Sequence, residues 1–305
     1  MRKISLEEYA EKYLDKTDLQ EGGLCLTEAE AQDFALPRRS PVSHKYSYGR
    51  ALVIAGALGF SGAPVLAANA CERSGAGLTH LMVPDSIYTI AAMRCDGAVV
   101  TPLPATEKGG LSAEALPDIL GQLKKARACV IGPGLGTGAD AKNLVKAVLQ
   151  AADCPLVLDA DALTACAGEP ELLFTCRAPL ILTPHEGEFQ RLGGELTAGR
   201  LAGALRFTEK YPNVNLILKG YGTLVCRGDA VSVNPTGGPA MAKGGSGDVL
   251  CGILCALLAQ GFEPWFASRC AVYLHGLAGD LAAAALGEYS LAPSDLIQTL
   301  PKAFT

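Results

Sequence analysis

Short runs rich in β-branched and aliphatic residues recur along the chain from residue 51 onward. There are seven of them, at residues 51–55, 78–83, 97–100, 128–132, 155–159, 179–183 and 215–219. Between them lie segments with apolar residues three and four positions apart, the spacing of an amphipathic helix, for example at 63–75, 139–151 and 197–210. This alternation predicts an α/β fold with a mostly parallel sheet covered by helices on both faces.

The domain organisation follows from where the alternation begins. Residues 1–45 are charged, contain Pro37 and Pro41 and have no strand-like run, so we expect one or two helices and a lead-in segment packed on the main domain. Residues 46–305 show no internal repeat, low-complexity tract or linker. We therefore expect them to form one large domain.

Charge and hydropathy exclude several classes of partner. A net charge of −5 and a pI near 5.5 provide no overall attraction for nucleic acid or anionic lipid. No apolar run reaches the roughly 20 residues that span a bilayer, and the polar amino-terminal sequence lacks the apolar core of a secretory signal. We expect a soluble, cytoplasmic protein. Most of the eleven cysteines lie inside apolar runs, which is typical of small buried side chains.

A glycine-rich loop at residues 243–248, with the sequence KGGSGD, immediately precedes an apolar run with helical spacing. The first N–H groups of a helix bind anions, and glycines let the backbone approach phosphate oxygens closely. Asp248 then lies in the first helical turn. It either stabilises the helix start or deprotonates a hydroxyl nucleophile during phosphoryl transfer. We favour the second role, because a carboxylate without such a task would only repel the phosphate.

Polar sequences follow four of the predicted strands, at residues 132–136, 159–161, 183–188 and 219–223. The carboxyl ends of parallel strands meet at one edge of the sheet, where α/β proteins bind their ligands, so these segments should converge. Asp159 and Asp161 either act directly in the chemistry or end a strand and cap the next helix. His185 either contacts a ligand or caps the end of its strand.

The segment from Asn234 to Asp248, NPTGGPAMAKGGSGD, resembles the signature of the ADP/ATP-dependent NAD(P)H-hydrate dehydratases, repair enzymes of the ribokinase-like superfamily. Other blocks resemble this family in the same order: HKYSYG from residue 44, SGAP from 61, SGAG from 74, GPGLG from 132, LDADAL from 158, TPHEGE from 183 and KGYGT from 219. The resemblance extends over roughly residues 42–300. Two positions depart from the pattern: Glu186 replaces the Pro of relatives, and GGP at 237–239 replaces Gly-Asn-Pro/Gly.

The resemblance implies a ribokinase-like three-layer αβα sandwich with a central, mostly parallel sheet. It also implies a nucleotide-dependent dehydration of the S epimer of hydrated NADH or NADPH. The C6 hydroxyl is phosphorylated, phosphate leaves, and NAD(P)H is restored. ADP is favoured over ATP as the phosphoryl donor, with Mg²⁺ as the metal and a homo-oligomer, a tetramer above all, as the assembly. Residues 1–45 are too few for the epimerase domain of larger bacterial relatives, so we expect a separate NAD(P)H-hydrate epimerase.

Site residues are implied by the same resemblance. Asp248 would be the catalytic base. The nucleotide would contact Lys219, Gly220, Tyr221, Gly222, Thr223, Asn234, Gly244, Gly245, Ser246 and Gly247. The hydrated NAD(P)H would contact Gly62, Ala63, Gly134, His185 and Asp248. Glu188 is the candidate for holding magnesium through water, since this ion retains water ligands readily. His80 and His275 lie in apolar sequence and are interpreted as packing residues.

Two other functions fit the same residues. A ribokinase-like small-molecule kinase, of the thiazole or pyridoxal alcohol type, would use the same base but release a stable phosphoester. A catalytically silent nucleotide-binding protein would retain the glycine loop, although the intact Asp248 argues against it. The sequence leaves open the choice between ADP and ATP, the choice between NADH and NADPH hydrate, and the number of subunits.

Overall fold

A single sheet of ten strands forms the centre of the part of the chain that the structure describes. The computed structural model describes residues 26–27 and 36–305. The strands are β1 (Leu26–Thr27), β2 (Arg50–Ile54), β3 (Leu78–Pro84), β4 (Val99–Leu103), β5 (Ala128–Ile131), β6 (Leu156–Leu158), β7 (Leu180–Leu182), β8 (Val214–Leu218), β9 (Leu224–Arg227) and β10 (Ala230–Val233). Their spatial order is β1-β10-β9-β8-β7-β6-β5-β2-β3-β4. All neighbours are parallel except β8/β9 and β9/β10, so the sheet is mostly parallel.

Helices cover both faces of this sheet. They are α1 (Gly62–Arg73), α2 (Asp85–Arg94), α3 (Leu116–Leu123), α4 (Ala139–Ala151), α5 (Asp161–Cys166), α6 (Glu186–Arg191), α7 (Arg200–Lys210), α8 (Ser246–Ala259), α9 (Pro264–Leu286) and α10 (Pro293–Ala303). Helices α1, α2, α8, α9 and α10 pack in one core with one face of the sheet, and α3 to α7 pack with the other. The predicted αβα sandwich is therefore present.

The two cores explain why the strand sequences are unbroken apolar runs. In β2, Leu52 and Ile54 point into the core with α3 to α7, whereas Ala51 and Val53 point into the core with α1 and α8. All four side chains are fully buried. Because successive side chains of a strand point to opposite faces, a strand covered on both sides has no position for a polar residue.

The seven predicted strands correspond to β2 to β8, and the predicted helix at 139–151 is α4. The hairpin of β9 and β10 was not predicted, because it depends on antiparallel pairing among β8, β9 and β10, which the sequence of a single strand does not show. The statement that residues 1–45 lack a strand was wrong, since Leu26 pairs with Val231 of β10 in parallel orientation. Two residues are too few for a periodicity to be visible. The helices expected in the lead-in segment fall on residues outside the described part of the chain.

Two further findings concern surface and solvent. Within residues 26–27 and 36–305, no helix combines the length and the apolar character needed to cross a bilayer. The ten cysteines of the described residues are all unpaired, and all of them except the partly exposed Cys95 are buried. Most cysteines therefore pack as small apolar side chains, as their sequence surroundings indicate.

Candidate active site

A cavity of about 740 Å³ opens at the carboxyl edge of the sheet, beyond β7 and β8. Its wall combines the loop between β8 and β9, the segment from 234 to 243, the start of α8 and the middle of α9. Eight of the ten residues predicted for the nucleotide line it: Lys219, Gly220, Tyr221, Gly222, Thr223, Asn234, Ser246 and Gly247. Gly244 and Gly245 precede the start of α8 but are not part of the wall.

The glycine loop is held in place by segments outside the cavity. Lys243 Nζ donates hydrogen bonds to the main-chain oxygens of Tyr289, at 2.7 Å, and Leu291, at 2.5 Å. Gly245 occupies the N-cap of α8, and a Cβ there would lie 2.8 Å from Leu66 Cδ1 of α1. Helix α1 therefore packs directly against the turn that presents the N-terminus of α8.

Asp248 lies in the first turn of α8, next to Gly247 of the cavity wall. Burial raises the pKa of its carboxyl group from 3.8 to about 7, and the negative charges of Asp159 and Asp161 act in the same direction, while Lys219 opposes them. A carboxyl group with this pKa is partly ionised at neutral pH and still basic enough to accept a proton, which suits a general base.

The ammonium group of Lys219, a residue of the cavity wall, contacts two buried carboxylates. Its Nζ lies 2.9 Å from Asp159 Oδ1 and 3.7 Å from Glu188 Oε2, and Asp159 Oδ1 also accepts a 2.6 Å hydrogen bond from Thr183 Oγ1. Burial disfavours both charged forms, but the ion pair outweighs it, so the pKa of Asp159 is lowered and that of Lys219 raised. Lys219 therefore stays cationic beside Gly247, where an anion would approach the helix start.

His185 follows β7 and caps the start of α6 rather than the end of its strand, and it also lines the cavity. Its Nδ1 accepts hydrogen bonds from the N–H groups of Gly187, at 3.0 Å, and Glu188, at 3.3 Å. Glu188 Oε2 in turn accepts from the N–H of His185 at 2.8 Å, which completes a capping box. Because Nδ1 is an acceptor here, the neutral ring carries its proton on Nε2.

Asp161 does not cap α5. Ala160 occupies the N-cap with a positive φ of 50°, the only such non-glycine residue in the described chain. The Asp161 carboxylate instead accepts a 2.8 Å hydrogen bond from the N–H of Gly136, and so fixes the loop that follows β5. The interpretation of Asp161 as a helix cap was wrong because a contact 25 residues away in the sequence competes for its carboxylate.

Three of the residues predicted for the hydrated cofactor form a second group, outside the wall of the cavity. Gly62 and Ala63 begin α1, and Gly134 packs against Ala63 and Phe60: a Cβ on Gly134 would lie 3.2 Å from Ala63 Cβ and 2.9 Å from Phe60 Cβ. Asp248 interacts electrostatically with Lys219 in the cavity and with Asp161 beside this group. The charge of Lys219, which lines the cavity, and that of Asp161, which accepts a hydrogen bond from the N–H of Gly136, therefore both act on the Asp248 carboxyl group.

His275 was interpreted as a packing residue, but it lines the cavity. Its Nε2 lies 3.3 Å from Ser246 Oγ at the start of α8. Burial lowers the pKa of His275 to about 4, with a main-chain hydrogen bond of Ser246 opposing and the charge of Lys219 assisting. The ring is therefore neutral at physiological pH. Its apolar neighbours on α9 concealed this position, and no sequence signal distinguished it from a core residue.

Magnesium was predicted to be held by Glu188 through water. Among the described residues, no group of three His, Cys, Asp or Glu side chains lies close enough to hold a metal directly. Glu188 Oε2 is engaged by the N–H of His185 and faces the Lys219 ammonium, so these oxygens do not form a set of direct ligands. The donor set does not fit a metal held by the protein alone, and Glu188 as a water-mediated contact stays a prediction.

Comparison with known proteins identifies the family. Residues 51–302 match the family model described as NAD(P)H-hydrate dehydratase. The chain belongs to this family. It is 42% identical over 271 residues to the bifunctional NAD(P)H-hydrate repair enzyme Nnr of Moorella thermoacetica, covering 87% of this chain and 51% of that protein. It is 34% identical to the ADP-dependent (S)-NAD(P)H-hydrate dehydratase of Listeria monocytogenes, covering 87% and 91%. The chain thus spans about half the length of the bifunctional relatives.

Solved structures of similar proteins confirm the fold. A ribokinase-like superfamily protein from Enterococcus faecalis superposes with a TM-score of 0.78 at 31% identity, over 88% of this chain and 91% of that one. The ADP/ATP-dependent NAD(P)H-hydrate dehydratase of Bacillus subtilis, co-crystallised with ATP and Mg²⁺, superposes with a TM-score of 0.74 at 31% identity, over 88% and 94%. The ribokinase-like architecture predicted for this member of the NAD(P)H-hydrate dehydratase family is confirmed.

Proposed function

We propose that this protein dehydrates the S epimer of hydrated NADH and NADPH in a nucleotide-dependent reaction, with ADP preferred over ATP. The observation that carries the proposal is Asp248, whose carboxyl group has a pKa raised to about 7 at the start of the helix that follows the glycine loop. Family membership supports the reaction, and the Listeria relative is named for the same activity with ADP.

Asp248 would begin the reaction by removing the proton of the C6 hydroxyl group. The resulting oxygen attacks the terminal phosphoryl group of the nucleotide, and the bond from that phosphorus to the leaving nucleotide breaks. The N–H groups at the start of α8 and the nearby Lys219 ammonium would stabilise the negative charge that develops on the transferred group. An aspartate at this position is useful only if it is ionised when the substrate binds, which a pKa near 7 permits.

Loss of phosphate would complete the dehydration. The C6–O bond breaks with its electrons on the departing phosphate, the ring nitrogen supplies electrons to C6, and loss of a proton from the adjacent ring carbon restores the dihydronicotinamide. Phosphorylation is needed because hydroxide is a poor leaving group and phosphate is a good one. The protein's part in this step is to keep the ring in place and water away.

The two substrates would occupy neighbouring regions on either side of Asp248. The cavity lined by Lys219 and the β8–β9 loop suits the nucleotide, because the start of α8 and a permanent ammonium group favour a phosphate chain. The group formed by Gly62, Ala63 and Gly134, together with His185, would hold the hydrated nicotinamide. Magnesium, when bound with the nucleotide, would neutralise phosphate charge.

Several wider features stay predictions within this proposal. Residues 46–305 would act as a single catalytic domain, in a cytoplasmic homo-oligomer, with a tetramer favoured. The bifunctional relatives are about twice as long as this chain, and their name covers more than one repair activity. A functional link to an NAD(P)H-hydrate epimerase is part of the proposal, and the bifunctional name of these relatives supports it.

The proposal is tested by incubating the protein with chemically hydrated NADH or NADPH, magnesium and either ADP or ATP. We expect the absorbance of the dihydronicotinamide to recover, with inorganic phosphate released in equal amount and faster recovery with ADP. A phosphoester that accumulates without recovery of absorbance would contradict the dehydratase and favour a small-molecule kinase. A protein that binds ADP but converts no substrate would favour the catalytically silent alternative.

A further inference from the structure

Arg200 of α7 binds three main-chain carbonyl groups at the β8–β9 loop, although sequence reasoning assigned it nothing. Its Nη1 donates to the oxygen of Tyr221 at 2.8 Å, and its Nη2 donates to those of Leu218 at 3.2 Å and Lys219 at 3.4 Å. The guanidinium group thus contacts the loop at both ends, and the side chain is only 23% exposed. Because a guanidinium has several donors in one rigid plane, it can hold separate carbonyl groups in a fixed relation.

These bonds divide the polar groups of the loop into two sets. The oxygen of Gly220 accepts from Thr223 Oγ1 at 2.9 Å, so the carbonyl groups of residues 218 to 221 are all bound within the protein. By contrast, the N–H groups of Gly220 and Gly222 donate to no other backbone group in the described chain. Both glycines line the cavity. A loop with its acceptors occupied and donors available is suited to an anion.

Glycine at position 220 is required for this arrangement. Its φ is +151°, and a Cβ there would lie 2.7 Å from Arg200 Nη2. Any side chain would displace the guanidinium group from the loop. The absence of a side chain at Gly220 thus serves the approach of Arg200 as well as the approach of a ligand.

Glu186 forms an ion pair with Arg200 on the side of the guanidinium group away from the loop carbonyls, without a hydrogen bond to Nε. Its Oε1 lies 3.1 Å from Arg200 Nε. Glu186 is the first residue of α6 and follows His185, so the ion pair connects the helix capped by His185 with the loop at the nucleotide cavity. At this position the resemblance leads one to expect Pro, which also suits the first position of a helix. The Glu186–Arg200 ion pair is therefore not explained by the formation of helix α6 alone.

We propose that Arg200, oriented by Glu186, is a positioning residue that holds the β8–β9 loop in the form that binds the phosphate chain of a nucleoside diphosphate or triphosphate. Without the guanidinium group the loop would populate other conformations, and binding would have to select the competent one. The apparent dissociation constant rises by the inverse of the competent fraction. The proposal rests on the proposed function only for the identity of the nucleotide.

The test measures ADP binding by calorimetry, without the hydrated cofactor, in Arg200→Met, Arg200→Lys and Glu186→Gln. We expect Arg200→Met to weaken ADP binding about tenfold, because the loop loses the guanidinium group. Glu186→Gln should weaken it about threefold, because the guanidinium group loses only its ion pair with Glu186. Arg200→Lys should resemble Arg200→Met, since an ammonium group retains the charge but lacks the planar fork. The matched control is Arg227→Met, which breaks an exposed Arg–Glu pair away from the cavity wall and should leave ADP binding unchanged.

Steady-state kinetics separate positioning from chemistry. In the Arg200 and Glu186 variants, the KM for ADP should rise while kcat and the KM for the hydrated cofactor stay within about twofold of the original values. ADP affinity in Arg200→Met equal to that of the control would overturn the proposal, as would a loss confined to kcat. If Arg200→Met does not fold, unchanged affinity in Glu186→Gln overturns it. A protein that binds ADP through Arg200 yet dehydrates nothing would refute the proposed function and leave this inference intact.

Discussion

Replacing Asp248 with Asn should stabilise the folded protein at pH 8 while removing its activity. Folding raises the pKa of the carboxyl group from 3.8 to about 7. Between these values the folded protein binds more protons than the unfolded chain, so the free energy of unfolding falls as the pH rises from about 4 to about 7. A shift of about three units corresponds to a penalty of up to about 4 kcal/mol above pH 7. Asn has almost the same shape and lacks this penalty.

The measurement is urea unfolding of the original protein and Asp248→Asn at about pH 8 and about pH 5. We expect the variant to be more stable by as much as a few kcal/mol at the higher pH, with the difference shrinking at the lower pH. Asp118→Asn is the matched control, because Asp118 is an exposed acid in the first turn of α3. It should lose about 0.3–1 kcal/mol through the helix dipole alone.

Activity provides the second readout of this variant. Turnover should fall by about 10²- to 10⁴-fold with ADP binding retained, as expected for loss of a general base. In the original protein, kcat/KM should fall about tenfold per pH unit below pH ~7, where Asp248 becomes protonated. If Asp248→Asn instead destabilises the protein as Asp118→Asn does and keeps its turnover, then Asp248 is merely a helix-stabilising acid and the assignment as base is refuted.

Three further changes test the surroundings of this group. Lys219→Met should destabilise the protein by about 3–5 kcal/mol, because Asp159 loses its buried cationic partner. A free energy of unfolding in urea within about 1 kcal/mol of the original would contradict a stabilising buried ion pair. Gly134→Ala should raise the KM for the hydrated cofactor more than Gly136→Ala does. Both glycines have positive φ, but only at Gly134 would an added Cβ have neighbours within 4 Å. Equal effects on the KM would show that the contact of this Cβ with its neighbours is not the cause. Ala160→Gly should raise the stability by about 1 kcal/mol by relieving the positive φ, and a lower Tm would show that no strain resides there.

The fold was predictable because strand and helix formation depend on neighbouring residues. The seven strands β2 to β8 and helix α4 were recognised from runs and spacings inside windows of a few residues. The hairpin of β9 and β10 was missed because its stability depends on pairing with β8, which a four-residue window does not contain. In the same way β1 exists only through its pairing with β10.

The candidate site was predictable where a motif occupies consecutive residues. The glycine loop and Asp248 follow one another in the chain, and so do the residues of the β8–β9 loop. His275 and Arg200 carried no such signal, because each contributes a single side chain from a helix whose sequence otherwise indicates packing. Asp161 was misread for a related reason, since its partner Gly136 belongs to another loop.

The sequence by itself determined the α/β architecture, the anion-binding start of α8 and the acidic residue beside it, because these depend on local spacing and on residue type. Only the tertiary structure decided what that acid can do. The pKa of Asp248 depends on its burial and on the charges of three residues from two other segments, and Lys219 contacts Asp159 across 60 residues of chain. Electrostatic interactions depend on distance in space and on exclusion of water, and neither is encoded in the order of neighbouring residues.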